Sequence, residues 1–497
     1  MHLKLFLLGL YIFSFISLAI SQEVHNLDLD KCLQIAGQKN YTMRVLKEDL
    51  SAAEFHLTSA TNRFKTNVNM SMVLPNFEET IASYSDSLGV HYYSSRKLNF
   101  SGSLQINQPL PTDGRLFMRS QLIGLEDFET ERNSIQLITR FGFEQPLEAF
   151  YSFNELQAGF REAELNYELS QKGLTRAELD LKYNVSAAFY NLVYAIEWER
   201  ISKQTLRMQQ QATELAQNKF QAGVIAEVEA LQMEIDLAEE ENKYDLAKLQ
   251  RADMANLLKQ ILEIPLVDSL TIESDLTYNL VEVDLEKALN SGLKYRLEIR
   301  EREIQKELAD IEIQRTRVTG QVTGSIFAFY DFIGVGTDPQ NTHLFNTVQN
   351  AWSQLRRRPG DRVIGLTINI PIWDWRVSWA NVQAARANFN KTEYAWENEK
   401  VTVEREIRNT VSQLRSSLRR LQILEKNVNV AIKSFNISNQ RYTNGEINSQ
   451  ALALDRTRLS TANISHLQAY TRYKLDILDL MRKTFYDFEN NKSLYDE

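Results

Sequence analysis

The side chains that most readily do chemistry are too thinly spread in this chain to build a reaction centre. Six histidines, nine methionines and one cysteine are scattered over 497 residues, without the short regular spacings that bring imidazole or sulfur ligands onto one metal ion. No glycine-rich phosphate loop, no His-Glu-x-x-His and no Gly-x-Ser-x-Gly occurs, so phosphoryl transfer, zinc proteolysis and serine esterase chemistry lack their parts. No enzyme, metal or cofactor is expected. What does recur is a turn. Lys219-Phe220-Gln221-Ala222-Gly223 and Arg441-Tyr442-Thr443-Asn444-Gly445 share one spacing of base, aromatic ring and glycine. A glycine at such a place lets a helix reverse or end in the left-handed conformation without a Cβ clash.

The elements that carry these turns are written twice. Lys31-Cys32-Leu33 aligns with Lys287-Ala288-Leu289 at the head of a short helical run, and each copy then alternates like a strand before a long run broken once by its glycine. Internal repetition on this scale decides the fold before local detail does. All eight prolines avoid Leu147–Ile264 and the stretch from Ile372 to the C-terminus. Because an interior proline costs a helix about 3 kcal/mol, these two stretches can be very long helices. About 70 residues up to Lys219 would reach on the order of 100 Å. Pro146 and Pro371 are expected in the first turns of the long helices, as strand-to-helix junctions, because a first-turn proline loses no helical hydrogen bond.

Between short and long helices the hydrophobic period falls to two. Val68, Met70 and Met72 alternate with Asn67, Asn69 and Ser71, and Leu98 to Ile106 alternate with Asn99 to Asn107. The same pattern marks 116–122, 135–143, 322–332 and 364–372, so one face of each strand is apolar and the other polar. The helices cannot cover that apolar face if they run far beyond it, and lipid can. A sheet in hydrocarbon must close, since an open edge leaves backbone groups without partners. The few strands of one chain cannot close a conducting barrel, so several copies are required. The first copy is longer by a hairpin near 98–124 with its turn at Pro111-Thr112-Asp113-Gly114, and its place in the wall stays open at this stage. Asn76–Lys97, Glu126–Asn133 and Ile333–Asp361 are expected as outward loops.

The remaining bounds are compositional. Lys4 precedes an apolar run, Leu5–Ile20, and Ala19 and Ser21 suit signal peptidase, so residues 1–21 read as a signal peptide. The lone Cys32 has Ala288 as its counterpart, which fits a small packed position. No other apolar run reaches the roughly 18 residues of a membrane helix. The net charge of −9 with dispersed bases leaves no nucleic-acid footprint. The domain reading is therefore a first repeat over 22–265 with strands in 66–145, a connector over 266–283, a second repeat over 284–490 with strands in 320–371, and a tail over 491–497. Connector and tail are expected to form a girdle around the helices.

The duplicated order of short helix, strands, proline junction, long helix, glycine turn and helix resembles the TolC family of outer-membrane efflux and secretion channels, over nearly the whole mature chain. That resemblance implies an α+β membrane protein: a homotrimer whose outer-membrane β-barrel is continuous with a long periplasmic α-helical barrel. It implies a periplasmic adaptor protein, an inner-membrane transporter and outer-membrane lipid as partners. Lys219, Phe220, Gly223, Arg441, Tyr442 and Gly445 would then form the periplasmic tip turns where the adaptor docks. Two features depart from the family pattern. Glu148-Ala149-Phe150 and Trp373-Asp374-Trp375-Arg376 stand where a glycine pair often follows the proline, and Ala451 and Leu454 stand where gating aspartates occur, leaving the adjacent Asp455 as the candidate tip gate. The alternative, a structural or adhesive coiled-coil protein of the envelope, leaves the strand insertions at matching points unexplained.

Overall fold

The computed structural model describes residues 24–128, 132–273, 276–338, 344–355 and 357–494; the expected signal peptide and the last residues of the tail lie outside them. The chain opens with β1 (Val24–Leu27), α1 (Leu29–Lys39) and α2 (Tyr41–Asn62). Four strands follow, β2 (Asn67–Asp86), β3 (Gly89–Pro109), β4 (Arg115–Asp127) and β5 (Arg132–Pro146). A short α3 (Glu148–Tyr151) leads into α4 (Glu155–Gln221), α5 (Glu227–Leu262) and β6 (Ser269–Ile272). The second copy runs α6 (Leu285–Tyr295), α7 (Leu297–Val318), β7 (Thr323–Asp338), α8 (Leu344–Leu355), β8 (Asp361–Asn369), α9 (Val377–Thr443) and α10 (Ser449–Thr484), then β9 (Tyr486–Asp487) and β10 (Lys492–Ser493).

The duplication extends to helix length. The paired helices α1/α6, α2/α7, α4/α9 and α5/α10 have 11, 22, 67 and 36 residues in both copies. Their ends are specified by the same chemistry. Asp28 and Asp284 cap α1 and α6, each accepting a bond from a first-turn backbone N–H, which satisfies an orphan donor. Glu263 and Phe485 end α5 and α10 in the left-handed conformation, at φ of 56° and 55°.

By its contacts the chain forms two compact units. The first gathers the described residues up to Glu48, Lys172–Arg300 and those from Asn398 on. Each repeat contributes one core to it. Leu27, Cys32 and Ala36 pack on Val185, Phe189, Leu192, Leu258 and Leu262; Ala288 and Leu289 pack on Val403, Ile407, Leu414, Tyr473 and Ile477. Fully burying such a side chain stabilises by roughly 1.5–3 kcal/mol. Cys32 and Ala288 are both inaccessible, and burial pushes the Cys32 thiol up to about 12, so it is an inert packed group. The connector meets the N-terminal strand and the segment that follows α10 here. β1 and β6 pair in parallel, and Asn279 donates to Glu489 at 2.8 Å.

The second unit, Asp49–Gln171 and Glu301–Glu397, holds a six-stranded sheet in the order β2-β3-β4-β5-β7-β8, antiparallel throughout. Directly paired residues share a face. Val68, Met70 and Met72 therefore lie with Leu104 and Ile106, Met118 and Leu122, Leu137 and Phe141, Ala328 and Phe332, and Ile364, Leu366 and Ile368 on one continuous apolar face. The opposite face carries Asn69, Ser71, Ser103, Gln105, Arg119, Gln136 and Thr367. It also carries the bond that joins the repeats, a two-pronged ion pair from Arg140 to Asp331 at 2.7 and 2.8 Å with the guanidinium 3.8 Å from the Phe329 ring.

One open point is settled and two expectations need correction. The hairpin with its turn at 111–114 is an integral part of the sheet, as β3 and β4. The segment 76–97 is not a loop, because β2 and β3 continue pairing to the turn between Asp86 and Gly89, well past the last β3–β4 pair at Lys97 and Asp127. Backbone pairing along a two-stranded ribbon holds that extension where its side chains have no apolar face to signal it. The segment 333–361 likewise contains strand and helix. β7 runs to Asp338, and α8 lies on the apolar face, with Thr347 and Ala351 buried over Gly336 and Gly334, whose missing side chains admit the helix backbone. Residues 339–343 of that segment lie outside the described residues.

The prolines are also displaced from their expected places. Pro146 is the last residue of β5, and Pro371 lies beyond β8 and well before Val377. The caps that start α9 are the Asp374 carboxylate oxygens, which accept from the Arg376 and Ser378 N–H groups at 2.9 Å.

Gly336→Val would drive a side chain into the Thr347 carbonyl, a cost of about 1–3 kcal/mol concentrated on α8. Hydrogen exchange should accelerate across 344–355 while β7 stays protected; unchanged exchange of α8 would refute the packing.

Candidate functional site

The two helix-to-helix turns are built alike and used differently. Gly223 and Gly445 have φ of +71° and +78°. In each, the N–H after the glycine donates to the carbonyl five residues back, Val224 to Lys219 at 2.8 Å and Glu446 to Arg441 at 2.9 Å, while the glycine N–H donates to Phe220 or Tyr442. This pattern satisfies the last helical carbonyls and needs a left-handed residue. An added Cβ would meet nothing within 4 Å at either glycine, so backbone conformation alone selects glycine there.

The side chains break the symmetry. Lys219 donates from Nζ to the Tyr442 carbonyl at 2.6 Å and lies 4.3 Å from the Tyr442 ring centroid, tying the α4–α5 hairpin to the α9–α10 hairpin. Tyr442 is 2% exposed, its hydroxyl has no protein partner, and burial holds its pKa above the ordinary phenol value. Its counterpart Phe220 is 40% exposed. Arg441, the counterpart of Lys219, pairs with Glu446 of its own turn at 3.2 Å. One turn thus presents an aromatic ring and the other a charged pair.

Behind the turns the hairpins share a core of Ala212, Ala216, Met233, Phe435, Tyr442, Leu452 and Leu459. Gln209 and Thr213 of α4 both donate to the Met233 carbonyl of α5, at 2.9 and 3.0 Å. Asp455 of α10 is taken up locally: the Ser438 hydroxyl of α9 donates to it, and Arg458 lies at 3.1 Å. The Ser438 bond, with Arg458, holds its carboxyl below the ordinary range. Arg456 is buried with Asp236 at 3.9 Å, and desolvation lowers its pKa.

In the sheet-bearing unit the strand-to-helix junctions carry exposed aromatic side chains. Phe150 and Tyr151 follow β5; Trp373 and Trp375 follow β8 and stand edge to face with centroids 5.4 Å apart. Of these, Tyr151, Trp373 and Trp375 join an apolar ring to a polar handle, the kind of side chain that concentrates at membrane–water interfaces. Among the described residues no cluster of His, Cys, Asp and Glu could hold a metal, and no helix is long and apolar enough to cross a membrane.

The sequence profile of the outer membrane efflux protein family matches residues 127–262 and 339–483, more than half of the chain. The chain belongs to the outer membrane efflux protein family. The fold is similar to that of the Campylobacter jejuni CmeC outer membrane channel, with 16% identity and a TM-score of 0.68 over 94% of this chain and 87% of that one. It is similar to the outer membrane protein VceC of Vibrio cholerae, with 14% identity and 0.67 over 93% and 97%, and to the open state of the Neisseria gonorrhoeae MtrE outer membrane channel, with 15% and 0.62 over 92% and 88%. No curated protein sequence matches the chain. This outer membrane efflux protein is accordingly placed in the outer membrane.

In this efflux protein the residues singled out from sequence fall into two groups. Lys219, Tyr442, Gly223 and Gly445 are brought into one structural feature, whereas Phe220 is exposed and Arg441 pairs within its own turn. Trp373 and Trp375, noted in the sequence only as standing where a glycine pair often follows the proline, are candidate interface anchors, and two tryptophans so close together just after a strand were the available signal.

Lys219→Met removes a charged hydrogen bond and a ring contact and should lower stability in denaturant unfolding by about 1–2 kcal/mol. Tyr442→Phe deletes a hydroxyl that makes no bond and should be neutral or stabilising. A neutral Lys219→Met would refute the tie. For Asp455, a carboxyl held below its unfolded value stabilises at higher pH and loses that contribution as pH falls through the folded value. Asp455→Asn should therefore flatten the acid limb of the stability–pH curve, and an unchanged limb would exclude its native bonds as the cause.

Proposed function

We propose that this protein is the outer-membrane exit duct of a tripartite efflux or type I secretion assembly. Three copies form one channel. Their sheets close a barrel in lipid, and their helices enclose a water-filled passage through the periplasm. Conduction is passive, with the energy supplied by an inner-membrane transporter. The observation that carries this reading is the six-stranded sheet with one apolar and one polar face and an open edge at each end, which is what a sector of a lipid-embedded barrel requires.

The helix turns are the reading's docking site for a periplasmic adaptor. Phe220 offers an exposed ring and Arg441–Glu446 an exposed charged pair beside two glycine turns, a combination suited to a helical hairpin partner. An adaptor that binds the widened tip better than the closed one would bias the channel towards opening.

Purified protein in a planar lipid bilayer should give discrete, long-lived conductance steps, and silence from protein shown to be inserted would sink the duct. Deleting 322–370 should abolish outer-membrane insertion. Gly445→Ala fits sterically but strains the turn by about 1–2 kcal/mol. It should reduce efflux in cells more than it reduces conductance of the isolated channel; equal losses in both would move the turns out of the docking role.

A further inference from the structure

We infer that all six strands of each protomer belong to the membrane wall, and that β8 of one copy pairs directly with β2 of the next. The inference rests on the reading of this protein as a trimeric duct and specifies how its barrel is closed. β2 and β8 are the two ends of the strand order, so each has only one paired side within the chain. In hydrocarbon an unpaired backbone group costs several kcal/mol, and a lipid-exposed edge is not tolerated.

Four features fit these two edges to each other. Direction comes first. β2 leads away from α2 and β8 leads back towards α9, so neighbouring copies present antiparallel edges, as an even number of alternating strands requires. Facing comes second. Val68, Met70 and Met72 lie on the same face as Ile364, Leu366 and Ile368, so pairing even residues with even ones carries the apolar face across the seam unbroken. A slip by one residue would turn it inside out.

Length and chemistry supply the other two. β8 has 9 residues. Opposing its helix-side end, Asn369, to the helix-side end of β2, Asn67, brings the far end of β8, Asp361, level with Pro75. There β2 breaks its own register, between Val73 and Asn76. A proline has no N–H to give to a ladder and is confined to edges and bulges, so the one place where β2 cannot accept a partner falls where the partner ends. Beyond Glu78 and Lys97, where the β3–β4 ladder ends, β2 and β3 pair only with each other.

Six strands from each of three copies make eighteen. With strands about 4.8 Å apart and tilted by about 40°, eighteen close at a backbone diameter of about 35 Å, against about 24 Å for twelve, the number left if the β2–β3 hairpin stood outside the wall. The extra hairpin of the first repeat thus widens the pore by about half.

The test is cysteine cross-linking of the full-length protein in membranes, with Cys32→Ala as background. Asn69→Cys combined with Thr367→Cys, both on the polar face, should give covalent dimers and trimers on oxidation. Asn69→Cys with Ile368→Cys, on opposite faces, should give few. Arg119→Cys with Thr367→Cys probes a seam at β4; links there, in protein that is still trimeric on native gels, would overturn the six-strand wall and leave the duct standing. If the double variants fail to assemble, imaging of the unmodified trimer in nanodiscs decides by strand count, eighteen supporting the inference and twelve refuting it. A chain found monomeric in lipid would instead overturn the duct itself.

Discussion

Every backbone N–H and C=O placed in hydrocarbon needs a partner, and in this chain that requirement falls on two strand edges. Within one copy the sheet satisfies its interior by ladders and joins the two repeats through Arg140 and Asp331, but β2 and β8 each keep an open side. Six strands are too few to curl round and meet each other around a passage, since even eight leave an interior only wide enough for side chains. The apolar face cannot turn inward either, because the opposite face carries Arg119, Asn69 and Gln136. A wall shared between copies, as proposed above, meets all three conditions.

The same constraint accounts for which parts of the repeats have stayed alike. Helices that must run beside one another over a common length cannot gain or lose turns separately, and the paired helices match residue for residue in length. Strands are freer, provided they are added two at a time. A whole hairpin leaves the direction of both edges unchanged, so the first repeat can hold four strands and the second two without upsetting the closure. The turns show a third regime. Their backbone bonds are identical, yet Tyr442 is buried under Lys219 in the core the hairpins share while Phe220 stays exposed.

Much of this was legible in the residues. Proline-free runs, the Asp caps and the two glycines mark the helices, and strict alternation marks β3 and β5, because burial on one face leaves a period that sequence records. What was not legible depends on partners distant in the chain. The extension of β2 and β3 past Asn76 is held by main-chain pairing, which no side-chain pattern announces. α8 rests on Gly334 and Gly336, whose meaning is the closeness of another backbone. Pro146 and Pro371 obeyed a local helix rule less than the demand of the strand ends, with Asp374 capping α9 instead. Asp455 looked available until the fold brought Ser438 beside it.

The depth of the protein in the bilayer can be argued from the same pieces. At a tilt of about 40° the 9 residues of β8 rise about 23 Å, close to the apolar band of about 25 Å that outer-membrane barrels present to lipid. Its lower end is marked by Trp373 and Trp375 and, on the other repeat, by Tyr151, where rings that are half apolar and half polar rest most favourably. Its upper end coincides with Pro75, a few residues short of the ribbon that β2 and β3 form alone beyond Glu78 and Lys97. Outside the hydrocarbon that ribbon can leave its edges to water, so the point at which the chain stops providing partners is also the point at which it no longer needs them.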